Sequence, residues 1–476
     1  VLLSEAVAAV ADHPAFRDLA LTGPADVSVG RAQHDSRAVV AGSVFCCVPG
    51  AAHDGHDHAA EAVAAGAAAL LCERPLGLDV PEVRVESVRE AMGPLAAVLA
   101  GRPSDHLAVV GVTGTNGKTT TVHLLAAVLE AAGRSCGVIG TLTGARTTPE
   151  APDLQAQLAD LRSEGRAAVA MEVSSHALDL HRVDGTRFRV AVFTNLSRDH
   201  LDHHGDMAAY FAAKARLFEP DLADVAVVNL DDPHGRLLRD AARLRSVGYE
   251  LADAEDLVLG PSGSTFTWRG ASVRLGLAGR FNVANALAAA TAAGELGVHP
   301  DQVAAGLAAA GPVPGRFERV EVGQPFLAVV DFAHTPDGLE QLLNAGRELA
   351  HGGRLLVVFG AGGDRDPTKR PAMGEAAARL ADVVVLTSDN PRHEDPAAII
   401  SEVHHGMEDT TNVHIEPDRR AAIAYAVAQA APGDVLLVAG KGHESTQTIG
   451  DVVAPFDDRE VLRDHLLAAG HGEVSR

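Results

Sequence analysis

The stretch Gly111 to Thr121, G-V-T-G-T-N-G-K-T-T-T, constrains this chain more than any other. It follows an apolar run of strand length, Leu107 to Val110, rich in β-branched residues. It precedes Val122 to Gly133, where Val122, Leu125, Val128, Leu129 and Ala132 recur at helical spacing and Gly133 offers a stop. Strand, glycine-rich turn, Lys, Thr and helix are the layout of a phosphate-binding loop. Glycines let backbone N–H groups close on phosphate oxygens, and the helix aims its positive dipole end at them. Lys118 adds a mobile cation, and the Thr119 hydroxyl suits Mg²⁺. Val112 stands where the strict pattern has its first Gly, so the loop is a variant with glycines at 111, 114 and 117. Gly114, Thr115, Asn116, Gly117, Lys118, Thr119 and Thr120 are the expected phosphate contacts.

Length and charge bound the rest. A chain of 476 residues divides into two to four domains. Aromatics are only 4% of it, so its cores must be built from Ala, Val and Leu. A net charge of −23 without a Lys/Arg cluster argues against nucleic acid and anionic lipid as partners. Anionic ligands then need cations placed locally in clefts. No apolar run is long enough to span a bilayer, and V-L-L-S-E-A carries no cationic stretch of a secretory signal. Cys46, Cys47, Cys72 and Cys136 lack C-x-x-C spacing and read as buried free thiols, which fits a cytoplasmic protein.

Residues 1–103 read as a small α/β domain. Ser43 to Val48 and Ala67 to Cys72 are expected strands, Ala59 to Gly66 and Ser87 to Ala100 helices, and Pro103 a boundary. From residue 104 to 314 the pattern is strand then helix, with apolar runs ending at Val110, Ile139, Val173, Phe193 and Val228. That alternation predicts a doubly wound parallel sheet, whose ligands bind beyond the carboxyl ends of the strands. The loops there carry Thr147-Thr148-Pro149, then M-E-V-S-S-H-A-L from Met171, then F-T-N-L-S-R-D-H-L-D-H-H-G-D from Phe193. Glu172 ends an apolar strand and needs a cation, for which Mg²⁺ near the phosphates is the evident partner. Adjacent His203 and His204 lack an i,i+4 partner and a nearby Cys, which argues against structural zinc. Asp206 caps a helix reaching Phe218, where Lys214 between alanines reads by itself as a solvated residue. Helix is expected over Ala286 to Leu296, after G-R-F-N-V-A-N.

Gly311 to Gly315, with two Pro and two Gly, reads as an interdomain linker, and Arg316 follows it. The alternation then restarts over 315–476 as a second, Rossmann-like domain. Its strand-end loops are D-F-A-H-T-P-D from Asp331, G-A-G-G-D-R-D from Gly360, S-D-N-P-R-H-E-D-P from Ser388 and G-K-G-H-E from Gly440. Cations (Arg365, Arg392, Lys441) mixed with carboxylates (Asp389, Glu444) suit a zwitterion such as an amino acid. A dinucleotide G-x-G-x-x-G fingerprint is missing, which argues against a nicotinamide enzyme.

Taken in order, these motifs resemble the Mur ligases, most closely the MurE type, over essentially the whole chain. The resemblance covers H-D-S-R at His34, T-G-T-N-G-K-T-T, T-T-P, M-E-V-S-S-H-A-L, the Asn195–Asp206 loop, Y-F-A-A-K, G-R-F-N-V-A-N, P-G-R-F-E, D-F-A-H-T-P-D, G-G-D-R-D, D-N-P-R and G-K-G-H-E. It implies three domains: UDP-muramoyl-binding, ATP-binding and amino-acid-binding. It implies ATP and Mg²⁺, small-molecule substrates only, and a monomer. It implies that Ser36, Ala51, Ala52, His53, Thr147, Thr148, Ser174 and Arg182 hold the UDP-muramoyl peptide. Leu180 departs from it, since relatives often carry a substrate-contacting Gln there. Thr119, Glu172 and His200 match positions serving Mg²⁺. Lys214 matches a lysine that is carbamylated and so becomes a metal ligand, against its reading as a solvated residue. Lys118, Glu172, His200 and Lys214 are the implied catalytic residues. Asn195, Asn282, Arg316 and Asp331 match positions near ATP. Arg365, Asp389, Asn390, Pro391, Arg392, Gly440 and Glu444 match the amino-acid site. The arginine of D-N-P-R accompanies meso-diaminopimelate in such enzymes. A guanidinium grips that substrate's distal carboxylate in two places and repels the ammonium of lysine. Competing expectations are the same ligase using L-lysine, a folylpolyglutamate or cyanophycin-type ligase, and a non-catalytic scaffold of the same fold.

Overall fold

The computed structural model describes residues 1–50, 53–408 and 410–471. Among these, three separate sheets carry the architecture. The first has five strands in the spatial order Ala20–Thr22, Glu82–Arg84, Ala67–Cys72, Ser43–Cys46 and Arg31–Gln33. The helix Val88–Leu99, capped by the Ser87 hydroxyl, packs on it through Ala91, Met92 and Leu95.

The second sheet is fully parallel. Its order is Arg245–Tyr249, Ala223–Asn229, Phe188–Phe193, Ala108–Thr113, Ala168–Glu172 and Cys136–Ile139. Continuous runs such as Ala-Val-Ala-Met-Glu are buried along their whole length because helices cover both faces. Ala108–Thr113 lies between Phe188–Phe193 and Ala168–Glu172, so the loops after all three strands open into one crevice. That crevice is the topological switch point at which such sheets bind ligands.

The third sheet is ordered Glu318–Arg319, Leu327–Asp331, Val435–Ala439, Leu355–Phe359, Val383–Leu386 and Val413–Ile415, parallel except for its first strand. The loops at Asp331, Gly360, Ser388 and Gly440 all leave its carboxyl edge.

Several expectations are corrected. The helix after the phosphate-binding loop begins at Lys118 and runs to Ala131. The helix expected from Ala286 spans Arg280–Glu295, so G-R-F-N-V-A-N opens it rather than preceding it. A meander of three antiparallel strands, Glu255–Gly260, Gly263–Trp268 and Ala271–Leu275, is absent from the sequence reading. Its Phe266, Trp268, Val273 and Leu275 join the core formed with the helices Lys118–Ala131 and Pro300–Ala309. A hairpin, Thr446–Ile449 with Val452–Pro455, was equally unforeseen.

Candidate active site

The phosphate-binding loop is shaped by close approach. Gly114 has φ +150°, and a Cβ there would lie 1.9 Å from the Thr194 hydroxyl. Gly117 has φ +87°, and a Cβ would lie 2.3 Å from Asn285 Oδ1. Neither position admits another residue without moving the loop. Gly111 serves packing instead, since its Cβ would meet the Phe188 ring at 2.7 Å. The Lys118 ammonium donates to the carbonyls of Gly114 and Thr115, 2.9 Å each. Burial lowers its pKa.

The neighbouring strand brings Glu172, 2% exposed, to the mouth of the loop. Thr119 donates its hydroxyl to Glu172 Oε2 at 3.0 Å, and the Thr141 amide donates to Oε1 at 2.8 Å. Arg316 reaches across from the linker, donates to the Thr119 hydroxyl at 3.1 Å and stacks over the Phe332 ring. Among the described residues, its Nε is buried without a partner. An orphaned guanidinium N–H beside a hydroxyl, a carboxylate and a glycine-lined cradle fits a Mg²⁺–nucleotide. The Thr119 and Glu172 oxygens are the hard donors that Mg²⁺ prefers.

His200 sits at φ +55°, with Nε2 3.3 Å from Asp199 Oδ2. Burial pushes its pKa down to about 3. Lys214 is 1% exposed, so it is no solvated lysine. Its Nζ donates to the Gly114 carbonyl at 2.8 Å and lies 4.6 Å from the Tyr210 ring centroid. Gly114 O thus receives two lysines. Burial first, then the repulsion of Lys118, holds the Lys214 pKa well below its ordinary value.

The third sheet supplies the opposite wall of the same cleft, about 460 Å³ in volume. Arg365, Arg392, Asp389, Asn390, Gly440 and Glu444 line it, facing Lys118, Glu172 and His200. Gly440 has φ +117°, and a Cβ would lie 2.3 Å from Asp389 Oδ2. Glu444 accepts from the Asn390 amide at 2.7 Å and from Lys441 at 3.1 Å. Lys441 is fully buried and also donates to Asn390 Oδ1 and the Thr446 carbonyl, so it braces the loop and is no free cleft cation. Among the described residues, Arg365 and Arg392 have no carboxylate within ion-pair distance; the Arg392 guanidinium donates to the Gly363 carbonyl and its backbone N–H to the Thr448 carbonyl. Pro391 contributes through its backbone: a Cβ at Gly363 would lie 1.9 Å from the Pro391 carbonyl.

Other expected residues lie behind or beside the cleft. Asn195 exchanges two hydrogen bonds with the backbone of Asn116, at 2.9 and 3.1 Å, and so fixes the loop. Asn282 donates to the Ala278 carbonyl and accepts from Asn285. Asp331 lines the cleft but accepts from the Phe317 and Ala333 amides, and burial raises its pKa. Thr147 and Ser174 line the cleft; Thr148 donates to the Glu172 carbonyl. Arg182 is paired with Glu150 at 2.9 Å, a carboxylate that Arg89 and Arg146 also reach. Ser36 donates to Glu61 at 3.3 Å, and His53 is exposed; both belong to the first sheet's domain. Ala51 and Ala52 lie outside the described residues. Sequence reasoning missed Lys369, a buried cation in the cleft wall, and the fully buried Arg419–Asp458 pair behind Asp389. Only tertiary packing reveals these, although D-R-D-P-T-K-R marked the neighbourhood of Lys369.

Three family profiles match the chain in order: the Mur ligase family catalytic domain over residues 31–99, the Mur ligase middle domain over 112–293, and the Mur ligase glutamate ligase domain over 315–442. The chain is 48% identical to the UDP-N-acetylmuramoyl-L-alanyl-D-glutamate–2,6-diaminopimelate ligase of Streptomyces avermitilis, over 94% of each chain. It is 47% identical to the ligase of the same name from Geobacillus kaustophilus, over 92% of this chain and 94% of that one. A solved structure of a ligase of that name superposes with a TM-score of 0.69 at 35% identity, over 99% of both chains. Profiles that span all three sheets, and relatives of this similarity across nearly the full length, establish that the chain belongs to the Mur ligase family.

Proposed function

We propose that this protein is an ATP-dependent amide ligase that adds meso-2,6-diaminopimelate to UDP-N-acetylmuramoyl-L-alanyl-D-glutamate during cytoplasmic peptidoglycan precursor synthesis. One observation carries the reading. A phosphate-binding loop and two arginines that have no carboxylate partner among the described residues face each other across one cleft. Residues 1–103 would hold the UDP-muramoyl peptide, 104–314 the nucleotide and 315–476 the amino acid.

A carboxylate does not condense with an amine, because its oxygen is a poor leaving group. The D-glutamyl carboxylate takes the γ-phosphoryl group of ATP, leaving ADP and an acyl phosphate. The amine attacks the carbonyl carbon, the tetrahedral adduct collapses, and phosphate leaves as the amide forms. The protein contributes positioning and charge neutralisation. The loop amides and Lys118 hold the phosphates, and Arg316 approaches the same oxygens from the linker. Thr119, Glu172, His200 and the carbamate of Lys214 would hold Mg²⁺, which supplies further neutralisation of phosphate charge when bound. Burial and the Lys118 charge lower the Lys214 pKa and so favour the uncharged amine, the form that adds CO₂, with loss of one proton, to give that carbamate.

Arg365 and Arg392 take the distal carboxylate of diaminopimelate, and Glu444 or Asp389 its distal ammonium. His334 and His200 are poor bases for the incoming ammonium, because burial lowers their pKa values to about 4 and about 3. Phosphate release with UDP-MurNAc-L-Ala-D-Glu and meso-diaminopimelate, lysine or ornithine in turn tests the assignment. Release with meso-diaminopimelate is expected; release with lysine alone would refute it.

A further inference from the structure

Adjacent His203 and His204 argue against a metal when read along the chain, because their spacing supplies no third ligand. The fold supplies one. Asp179 closes the short helix Ser175–Asp179, and the one-turn helix Leu201–His204 packs beside it. His203 Nε2 lies 2.9 Å from Asp179 Oδ2, and His204 Nε2 lies 3.0 Å from the Ser175 hydroxyl. The two imidazole rings stand 4.7 Å apart and nearly perpendicular. One donor atom from each of Asp179, His203 and His204 falls within 4.8 Å of the others. Among the described residues, no other His, Cys, Asp or Glu set is gathered this closely.

We propose that Asp179, His203 and His204 form a site for a borderline transition-metal ion of the Zn²⁺, Co²⁺ or Ni²⁺ class. Two imidazoles and one carboxylate suit such ions, whereas Mg²⁺ prefers oxygen ligands in octahedral array. Three protein ligands leave a coordination position for water. Ligation replaces the His203–Asp179 hydrogen bond, and the metal takes the place of the shared proton. Outside the ligand set, the His176 ring lies 4.2 Å from that of His203 and forms one wall. The two helices follow the segments that carry Glu172 and His200, so an ion here would brace both loops without entering the phosphate cleft. The proposal does not depend on the ligase reading.

The test uses the whole chain, without affinity-tag histidines, stripped with a chelator and titrated with Co²⁺ in excess Mg²⁺. Uptake is read from the visible ligand-field absorption and from competition with a chromogenic chelator. One equivalent is expected, displaced by one equivalent of Zn²⁺. His203→Ala and Asp179→Asn each remove a ligand and should each weaken it by more than about 100-fold, beyond what loss of a mere outer-shell partner costs. Both side chains are partly exposed, at 30% and 49%, and circular dichroism checks that the variants fold. Glu172→Gln should leave Co²⁺ uptake unchanged. Absence of uptake by the wild-type chain overturns the proposal. So does uptake that survives His203→Ala but disappears in Glu172→Gln.

Discussion

Lys214 owes its chemistry to where its helix puts it. Asp206 caps Met207–Ala215 by accepting from the Ala209 amide, and two turns later the lysine points into the loop carbonyl that already holds Lys118. Alanine neighbours suggest a solvated residue, the family resemblance speaks against it, and burial and the shared carbonyl show otherwise; no local pattern encodes a contact between residues 100 apart. The proposed carbamate, formed on a lysine whose pKa burial lowers, makes turnover sensitive to dissolved CO₂. Degassing at constant pH should slow phosphate release by the wild-type chain, and bicarbonate should restore it. Lys214→Ala should lose at least ~10²-fold in turnover, the scale of one lost charge-stabilising group, and gain nothing from bicarbonate. His334 gives a second prediction. Burial lowers its pKa from 6.5 to about 4, so the folded chain binds fewer protons there than the unfolded chain between those values. Its contribution to stability is therefore complete above pH 6.5 and is lost as pH falls toward 4. Urea midpoints measured across that window should drop with pH, and His334→Gln should flatten the drop. An unchanged slope in the variant would reject this assignment.

At the scale of elements, the strands were legible because burial on both faces demands continuous apolar runs, and the loops because glycine, Asp and Lys punctuate them. The early start of Arg280–Glu295 was not, since its cap is Gly279 and no side chain marks it. The meander did leave a trace: Phe266 and Trp268 alternate inward, as do Ala271, Val273 and Leu275. Runs of five or six residues with polar partners are easily passed over among longer apolar stretches. The linker was legible from its Pro and Gly, yet the structure shows it tightly docked. Gly315 has φ +66°, and a Cβ there would lie 2.0 Å from the His443 amide nitrogen. Its own N–H donates to Glu318 at 2.7 Å. Gly315→Ala should therefore cost roughly 2–4 kcal/mol through backbone strain and overpacking. It should also displace Arg316, so thermal unfolding shifts down and turnover falls together. Gly117→Ala differs: its clash is between the phosphate-binding loop and Asn285 of the helix Arg280–Glu295. Titration with a fluorescent ATP analogue should show nucleotide binding lost while far-UV circular dichroism is retained.

The whole molecule is an anion that must collect anions. With a net charge of −23, the far field repels nucleoside triphosphates and UDP-linked substrates alike. The cations proposed to hold the nucleotide, Lys118 and Arg316, and those proposed to take the amino acid's carboxylate, Arg365 and Arg392, line one cleft and act only at short range. Salt should therefore affect the two ranges differently. Raising ionic strength from ~0.01 to ~0.1 M shortens the screening length from about 30 to about 10 Å, which removes the long-range repulsion. Contacts within the cleft lie inside even the shorter length and are partly shielded by protein, so they persist. At fixed free Mg²⁺, kcat/KM for the UDP-linked substrate should rise over this interval, whereas a steered encounter with a cationic protein would slow. A monotonic fall would mean that the cleft, and not the acidic surface, dominates the approach. Charge-reversing variants on exposed acids that do not line the cleft, such as Asp240→Lys and Glu219→Lys, should then raise kcat/KM at low salt and leave it unchanged at ~0.1 M. That pattern separates the long-range field from any damage to the site.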